Sequence, residues 1–354
     1  MICGQACERL AMRHAVLLAV GKYADEKAGF STQEGPRAEF CEIANFLQAD
    51  IHSYVSGAAE RGAWFQWIFK SKKLWGSAFN IALHRHRYDR LYATGEDIGF
   101  RAALLLRLLG WQGRMVCLVH NMSRSRKLLL WFIGHRLFNS LVVVSKSQVP
   151  KILDVGFPQS KIVHVFNWVD DKFFTPIDDT RDRANHVTFV ACGAENRDYE
   201  TLLRATKIAK RKTYVFGHGF FRPTAEITKQ EDGSSFVPMP RVSFEQLREY
   251  YNSATAIVLP LNAVQYAAGV TGLVEAMSMG RPVIVTRSPG IEEYCSIIDQ
   301  NLIVSPKDHI EMARAMNLMA SLSKDGRSNR EWILKHCSLD GYVRTIASLM
   351  EAKA

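Results

Sequence analysis

Short apolar segments alternate with segments of helical periodicity along both halves of the chain. The apolar segments are rich in Val, Ile, Leu and Ala, which is typical of buried parallel strands. Between them, apolar side chains recur every three or four residues, which is typical of amphipathic helices. The predicted strands are residues 15–21, 90–94, 114–119, 141–144, 187–191, 213–216, 256–259 and 282–286. The predicted helices are residues 98–109, 127–138, 199–209, 244–253, 272–279, 310–322 and 341–350.

This alternation predicts two α/β domains, each a doubly wound parallel sheet of the Rossmann-like kind with right-handed crossovers. A polar, proline-containing stretch at residues 167–183 separates the two patterns and is interpreted as a linker. We therefore expect an N-terminal domain at 1–168 and a C-terminal domain at 169–335. Ligands of such sheets bind beyond the carboxyl ends of the strands, so a central cleft between the domains is the expected site.

Positive charge is concentrated in the first half of the 354-residue chain. Residues 1–175 contain 23 basic and 14 acidic residues, whereas residues 176–354 contain 22 and 21. Residues 101–150 contain eight basic residues and no acidic one. This asymmetry indicates that the first half meets an anionic partner.

Aromatic residues are interleaved with these cations in two clusters. One lies within residues 61–90 and contains Trp64 and Trp67, and the other contains Trp131 and Phe132 within residues 124–133. Three interpretations stay open: an anionic membrane surface, single-stranded nucleic acid, or aromatic side chains in the core beneath a solvated charged face. Of the two binding partners we favour the membrane and expect no nucleic acid.

No apolar run is long enough to span a bilayer, and the run at 15–21 lacks the features of a secretory signal. We therefore expect a cytoplasmic protein. The basic first half further suggests peripheral contact with the inner face of the cell membrane.

The segment GVTGLVEAMSMG at residues 269–280 carries the most specific chemistry. Its glycines precede a helix whose free N–H groups and dipole favour an anion such as phosphate. Thr271 is the expected N-cap and Gly280 the expected C-cap. Glu275 lies about one turn inside, placed to accept hydrogen bonds from sugar hydroxyls. The alternative is an ordinary helix cap with a solvated glutamate.

The segment resembles the donor-site signature of retaining nucleotide-sugar glycosyltransferases of family 4, which have the GT-B fold. Four further blocks resemble this family in the same order along the chain. They are SLVVVSKSQVPKIL at 140–153, SKIVHVFNWVDDKFFTP at 160–176, VTFVACGAENRDYETLLRA at 187–205 and VSFEQLREYYNSATAIVLPL at 242–261. The resemblance implies two Rossmann-like domains that face a central cleft, with a final helix in 336–354 crossing back to the first domain.

The resemblance also implies roles for individual residues. Glu275 would hold the nucleotide ribose, Arg197 would stabilise the departing diphosphate, and His120 would face the donor sugar. Backbone amides of Val270, Thr271, Gly272 and Leu273 would hold the diphosphate, and Gly193 would let the chain pass close to it. Gly21 would serve the acceptor side. The implied donor-binding positions are Gly193, Gly217, Val242, Gly269, Val270, Thr271, Gly272, Leu273 and Glu275.

The chain departs from the family pattern at Ala267, where the first glutamate of a paired motif usually stands. In this respect the sequence resembles a branch of the family that lacks this glutamate. The change leaves two hypotheses: an active enzyme, or a catalytically degenerate GT-B-like protein that binds a nucleotide or a partner.

The function implied by the resemblance is transfer of a hexosyl group from a nucleoside diphosphate sugar to a hydroxyl of a glycan or lipid-linked acceptor, with retention. Such a reaction belongs to polysaccharide or glycolipid biosynthesis. We expect no metal and no cofactor besides the nucleotide sugar.

Overall fold

The computed structural model describes residues 13–18, 35–177, 187–217, 235–322 and 326–352. Twelve strands in this part of the chain form two six-stranded sheets, and every pair of neighbouring strands is parallel. The first sheet contains β1 (His14–Leu17), β2 (Asp50–His52), β3 (Arg90–Ala93), β4 (Arg114–Val119), β5 (Phe138–Val143) and β6 (Ile162–His164). The second contains β7 (Thr188–Cys192), β8 (Lys212–Phe216), β9 (Phe236–Pro238), β10 (Ala256–Leu259), β11 (Val283–Thr286) and β12 (Ile303–Val304).

The strand order places a switch point in each sheet. The first sheet has the order β2-β1-β3-β4-β5-β6, and the second β12-β11-β10-β7-β8-β9. In the second sheet the winding reverses between β7 and β10, so the loops after these two strands diverge to opposite faces. A crevice opens beyond the carboxyl ends of the strands at such a point.

Helices cover both faces of the sheets. In the first half they are α1 (Glu39–Leu47), α2 (Tyr54–Arg61), α3 (Ala63–Phe69), α4 (Lys73–Leu83), α5 (Glu96–Leu108), α6 (Arg124–Ile133) and α7 (Val149–Leu153). In the second half they are α8 (Tyr199–Ala209), α9 (Phe244–Ser253), α10 (Val270–Ser278), α11 (Glu292–Cys295), α12 (His309–Ser321), α13 (Arg327–His336) and α14 (Leu339–Glu351).

The first sheet is enclosed by two helical layers. Buried residues of α4, α5 and α6 pack against one of its faces. Buried residues of α1 and α14 pack against the other. Thus the last helix of the chain completes the core of the first sheet, although it follows the second sheet in sequence. No helix among the described residues has the length and apolar character required to cross a membrane.

Two predicted segments differ from the structure. The helix predicted at 127–138 ends at Ile133, because Gly134 has a left-handed φ of 69° and turns the chain. Phe138 begins β5 instead and is fully buried. The strand predicted at 15–21 spans only His14–Leu17 among the described residues, and positions 19–21 lie outside them.

The expected linker at 167–183 is packed in its described part. Val169 pairs with Ser338 as an isolated parallel bridge, and Phe174 is buried in the second core. The carboxylate of Asp170 binds Arg37 through two guanidinium nitrogens, at 2.8 and 3.1 Å, and through the Arg37 backbone N–H at 2.8 Å. Apolar residues inside a polar stretch, together with the Asp170–Arg37 ion pair, therefore hold the crossing between the sheets. The boundary at residue 168 itself stays a prediction.

The loop before α10 contacts the segment that follows β5. The carbonyl oxygen of Gln265 accepts hydrogen bonds from Ser147 Oγ at 3.1 Å, from Lys151 Nζ at 3.0 Å and from the Gln148 side-chain amide. Nearby, Tyr294 Oη donates to the Val144 carbonyl at 2.7 Å. These contacts join the two sheet units on one side of the crevice.

Candidate functional site

A pocket lies at the carboxyl edge of the second sheet, beside the switch point between β7 and β10. Residues of the loop after β7, the end of β8, the start of α9 and the first turns of α10 form its walls. The lining residues are Cys192, Gly193, Arg197, Phe216, Pro240, Arg241, Val242, Ser243, Phe244, Leu247, Thr271, Gly272 and Glu275.

The helix α10 presents its N-terminus to this pocket. Its N-cap is Gly269, whose left-handed φ of 86° is accessible to glycine, and no side chain caps the helix. A β-carbon at Gly269 would stand 2.7 Å from Leu261 Cδ2 and 3.1 Å from Arg197 Nη1. The expectation that Thr271 is the N-cap is therefore wrong: Thr271 lies in the first turn, exposed. At the other end Met279 is the C-cap, and Gly280 follows it with a left-handed φ of 62°.

Two of the four backbone amides expected to bind diphosphate are already engaged. The Val270 N–H donates to the Ala267 carbonyl at 3.3 Å, and the Leu273 N–H donates to the Gly269 carbonyl at 3.1 Å. The Leu273 side chain is fully buried in the core. The amides of Thr271 and Gly272 have no hydrogen-bond partner among the described residues. The anion-binding capacity of this helix end thus rests on Thr271 and Gly272.

Arg197 lies against the same helix end. Its Nε donates to the Cys192 carbonyl at 2.9 Å, and its Nη1 donates to the Glu195 carbonyl at 2.8 Å. Its Nη2 has no hydrogen-bond partner in the described part of the chain and lies 3.7 Å from where a β-carbon of Gly272 would be. The guanidinium is thereby held in place by two backbone oxygens, and its third nitrogen lies close to Gly272.

Gly193 makes this placement of Arg197 possible. It has a φ of 101°, and a β-carbon there would approach Arg197 Cζ to 2.8 Å and overlap Nη2. Only glycine fits both the backbone and the close approach of the guanidinium.

Glu275 occupies the second turn of α10, on the pocket wall. Its Oε2 accepts a hydrogen bond from Tyr251 Oη at 3.3 Å, and the same hydroxyl contacts Cys192 Sγ. Burial raises the pKa of Glu275 to about 8, although the Tyr251 hydrogen bond and the Arg197 charge act in the opposite direction. A carboxyl with a pKa raised in this way is less ionised near neutral pH than a free glutamate, so it adds less negative charge beside the free amides.

The wall opposite α10 is apolar. It is made by Phe216, Val242, Phe244 and Leu247, and α9 begins there with a capping box between Ser243 and Gln246. Such a wall suits a flat, weakly polar group. Of these four residues, only Val242 was expected at the site; Phe216 could have been found from its position at the carboxyl end of β8.

Comparisons with known proteins place this geometry in context. Residues 184–321, which contain the pocket, match the family model described as glycosyl transferases group 1. The structure of Anabaena Alr3699/HepE in complex with UDP and glucose is 12% identical, with a TM-score of 0.67 over 97% of this chain and 100% of that one. The protein has the GT-B fold.

Other solved structures share this fold. A glycosyltransferase from Rickettsia africae is 14% identical, with a TM-score of 0.66 over 96% of this chain and 98% of that one. Sucrose-phosphate synthase from Thermosynechococcus elongatus is 15% identical, with a TM-score of 0.58 over 78% of each chain. No curated protein matches the sequence.

The GT-B fold brings some expected site residues together and leaves others apart. Gly217 is buried directly after β8, next to the lining residue Phe216. His120 follows β4 in the first domain with an exposed side chain and does not line the pocket; its backbone N–H donates to Glu96 Oε2 at 2.8 Å. Gly21 lies outside the described residues.

Ala267 packs where the two halves of the GT-B fold meet. Its partly buried side chain contacts both the core of the second sheet and the core that α1 and α14 form on the first. The preceding residue, Tyr266, donates from its hydroxyl to Glu195 Oε1 at 2.9 Å. An apolar side chain thus stands where the family has a glutamate. The nearby carboxylate of Glu195 accepts a hydrogen bond from Tyr266, the residue before Ala267.

Proposed function

We propose that the protein transfers a hexosyl group from a nucleoside diphosphate sugar to a hydroxyl of a glycan or lipid-linked acceptor, with retention of anomeric configuration. The observation that carries the proposal is the joint presence of two free helix amides, an anchored arginine and Glu275 around one pocket. An apolar wall for a base completes a shape that fits a nucleoside diphosphate.

The solved structures support the choice of donor. Alr3699/HepE is described in complexes with UDP, with UDP and glucose, and with UDP-glucose. By analogy with these complexes, we propose a uridine diphosphate sugar as the first donor to test, with polysaccharide or glycolipid synthesis as its pathway class.

In the proposed reaction, the bond from the anomeric carbon to the diphosphate oxygen breaks and its electrons pass to the leaving diphosphate. The amides of Thr271 and Gly272 and the Arg197 guanidinium stabilise this growing negative charge, which is the largest catalytic contribution expected in such chemistry. The acceptor hydroxyl attacks the same face and gives its proton to the departing phosphate oxygen. Glu275 binds the ribose hydroxyls. The proposal uses no cofactor or metal besides the nucleotide sugar.

A second candidate is a catalytically degenerate GT-B protein that binds a nucleotide without turnover. Ala267 favours it, because an alanine in contact with two cores supplies no carboxylate to the transferred sugar.

The two candidates are separated by the release of nucleoside diphosphate from a panel of sugar donors. We expect release with at least one donor, and a loss of roughly 100-fold or more in Arg197→Ala, since removing one donor to a developing charge has that effect. Arg204→Ala is the matched control, because Arg204 is exposed and, among the described residues, pairs only with Glu200 on the surface of α8. No turnover with any donor, together with intact UDP binding, would favour the degenerate protein.

A further inference from the structure

The large apolar side chains that the structure leaves exposed are concentrated on one group of helices. Of the sixteen found in the described part, nine lie between residues 63 and 133. Trp67 is 83% exposed and Trp131 is 69% exposed. The nine are Trp64, Trp67, Ile68, Leu83, Leu108, Leu109, Leu128, Trp131 and Phe132. These aromatic side chains are thus not core residues, and clustered exposure of this kind marks an interaction surface.

The helices that carry these side chains form one continuous layer. Ile68 of α3, Trp75 of α4 and Leu105 of α5 line a common apolar groove with Lys72. The Arg107 guanidinium of α5 donates to the Phe132 carbonyl at the end of α6, at 3.0 Å. We name the outer surface of this layer, residues 63–83 and 98–133, the α3–α6 face.

Cations surround the apolar side chains of the α3–α6 face, and acidic residues are missing from its sequence. No aspartate or glutamate occurs at residues 61–88 or 98–153. The exposed cations of the α3–α6 face are Lys70, Lys72, Lys73, Arg107 and Arg124. An apolar patch framed by one sign of charge is complementary to a surface with hydrocarbon beneath a layer of anions.

We propose that the α3–α6 face docks onto an anionic lipid bilayer, with its tryptophans at the headgroup level and its lysines and arginines at the lipid phosphates. Five of the nine exposed apolar side chains are aliphatic. Because nucleic-acid bases stack on aromatic rather than aliphatic side chains, this composition favours a hydrocarbon partner over a nucleic acid. A second copy of the chain would bring two basic surfaces together. The groove beside Lys72 offers apolar walls to an acyl chain below a cation for its phosphate.

The test is binding of the full chain to vesicles, without any sugar donor, so its outcome is independent of the proposed transfer reaction. Vesicles of phosphatidylcholine alone are compared with vesicles of equal parts phosphatidylcholine and phosphatidylglycerol. We expect sedimentation with the mixed vesicles only, weakened by added salt, and a blue shift of tryptophan fluorescence on binding.

The apolar contribution is tested with Trp67→Ser combined with Trp131→Ser. The matched control is Phe46→Ser combined with Ile310→Ser, since Phe46 is 58% exposed and Ile310 41% exposed outside the α3–α6 face. We expect the tryptophan pair to lose vesicle binding and the blue shift, and the control pair to keep both.

The charge contribution is tested with Lys70→Gln combined with Lys72→Gln. Arg314→Gln combined with Lys335→Gln removes the same charge from exposed positions on α12 and α13. We expect a loss of roughly fivefold in vesicle affinity for each lysine removed and little change in the control.

Three outcomes would overturn the proposal. The first is equal binding to neutral and anionic vesicles, and the second is vesicle binding by the tryptophan variant that equals that of its control. The third is oligonucleotide binding or self-association of the full chain that the tryptophan variant loses.

Discussion

Glu275 carries a carboxyl group on the second turn of α10, where burial raises its pKa from 4.5 to about 8. In the unfolded chain this group ionises near its ordinary pKa. Between about pH 4.5 and 8 the unfolded state releases the proton while the folded state keeps it, so the folded state loses relative stability as pH rises through this window. Above the window the loss is complete.

We therefore predict that Glu275→Gln, which cannot ionise, is more stable than the parent protein at alkaline pH and gains no such advantage near pH 4. The difference in melting temperature should grow from about pH 4.5 to 8 and then level off. Glu331→Gln is the control, since Glu331 is exposed on α13. A difference independent of pH for Glu275→Gln would contradict the raised pKa.

At the residue scale, sequence resemblance predicts site roles for Arg197, Gly193, Thr271, Gly272 and Glu275, and the structure brings these five to one pocket. The sequence could not show that the amides of Val270 and Leu273 are engaged, because their hydrogen bonds depend on where α10 begins and how the loop before it bends. Nor could it show that Tyr251, 24 residues from Glu275 in sequence, supplies its hydrogen bond.

At the element scale, the turn between β7 and α8 holds Arg197 only because Gly193 has no side chain. We predict that Gly193→Ala weakens UDP binding measured by calorimetry, because the new methyl group displaces the guanidinium. Gly110→Ala is the control: Gly110 also has a positive φ, 69°, but nothing lies within 4 Å of an added β-carbon. Both variants should lose about 1–2 kcal/mol of unfolding free energy from the left-handed backbone. Equal UDP affinity in the two variants would contradict the role of Gly193.

Sequence patterns predicted elements well where apolar periodicity and end signals agreed. The segment 114–119 coincides with β4, and 244–253 coincides with α9. The three-residue strands β2, β6 and β9 were missed, because so few residues show no period. The pattern around Trp67 could not decide between core and surface, since exposure depends on which helix packs beside it.

At the scale of the whole molecule, Arg37 connects three distant parts of the chain. Its side chain binds Asp170 between the sheets, at 2.8 Å, and Asp340 at the start of α14, also at 2.8 Å. The Asp170 side chain is only 3% exposed, whereas Arg37 is 27% exposed. The pair therefore holds together the segments that cross between the two domains.

We predict that Asp170→Asn lowers the free energy of unfolding by about 2–4 kcal/mol, because it leaves a partly buried guanidinium without its main partner. Chemical denaturation measures this loss. Asp154→Asn removes an exposed carboxylate, 64% accessible, from Lys127 and should change stability by no more than about 0.5 kcal/mol. A loss as small for Asp170 as for Asp154 would show that the crossing is held by apolar contacts alone.

The carbonyl oxygen of Gln265 accepts hydrogen bonds from three side chains of the first domain, and Gly269, the N-cap of α10, follows four residues later. Binding of a ligand at the N-terminus of α10 and separation of the two domains therefore both affect the short loop at residues 265–269. A ligand that binds more tightly when the Gln265 contacts are intact favours the joined domains, and joined domains raise the affinity for that ligand by the same factor, because thermodynamic linkage is reciprocal.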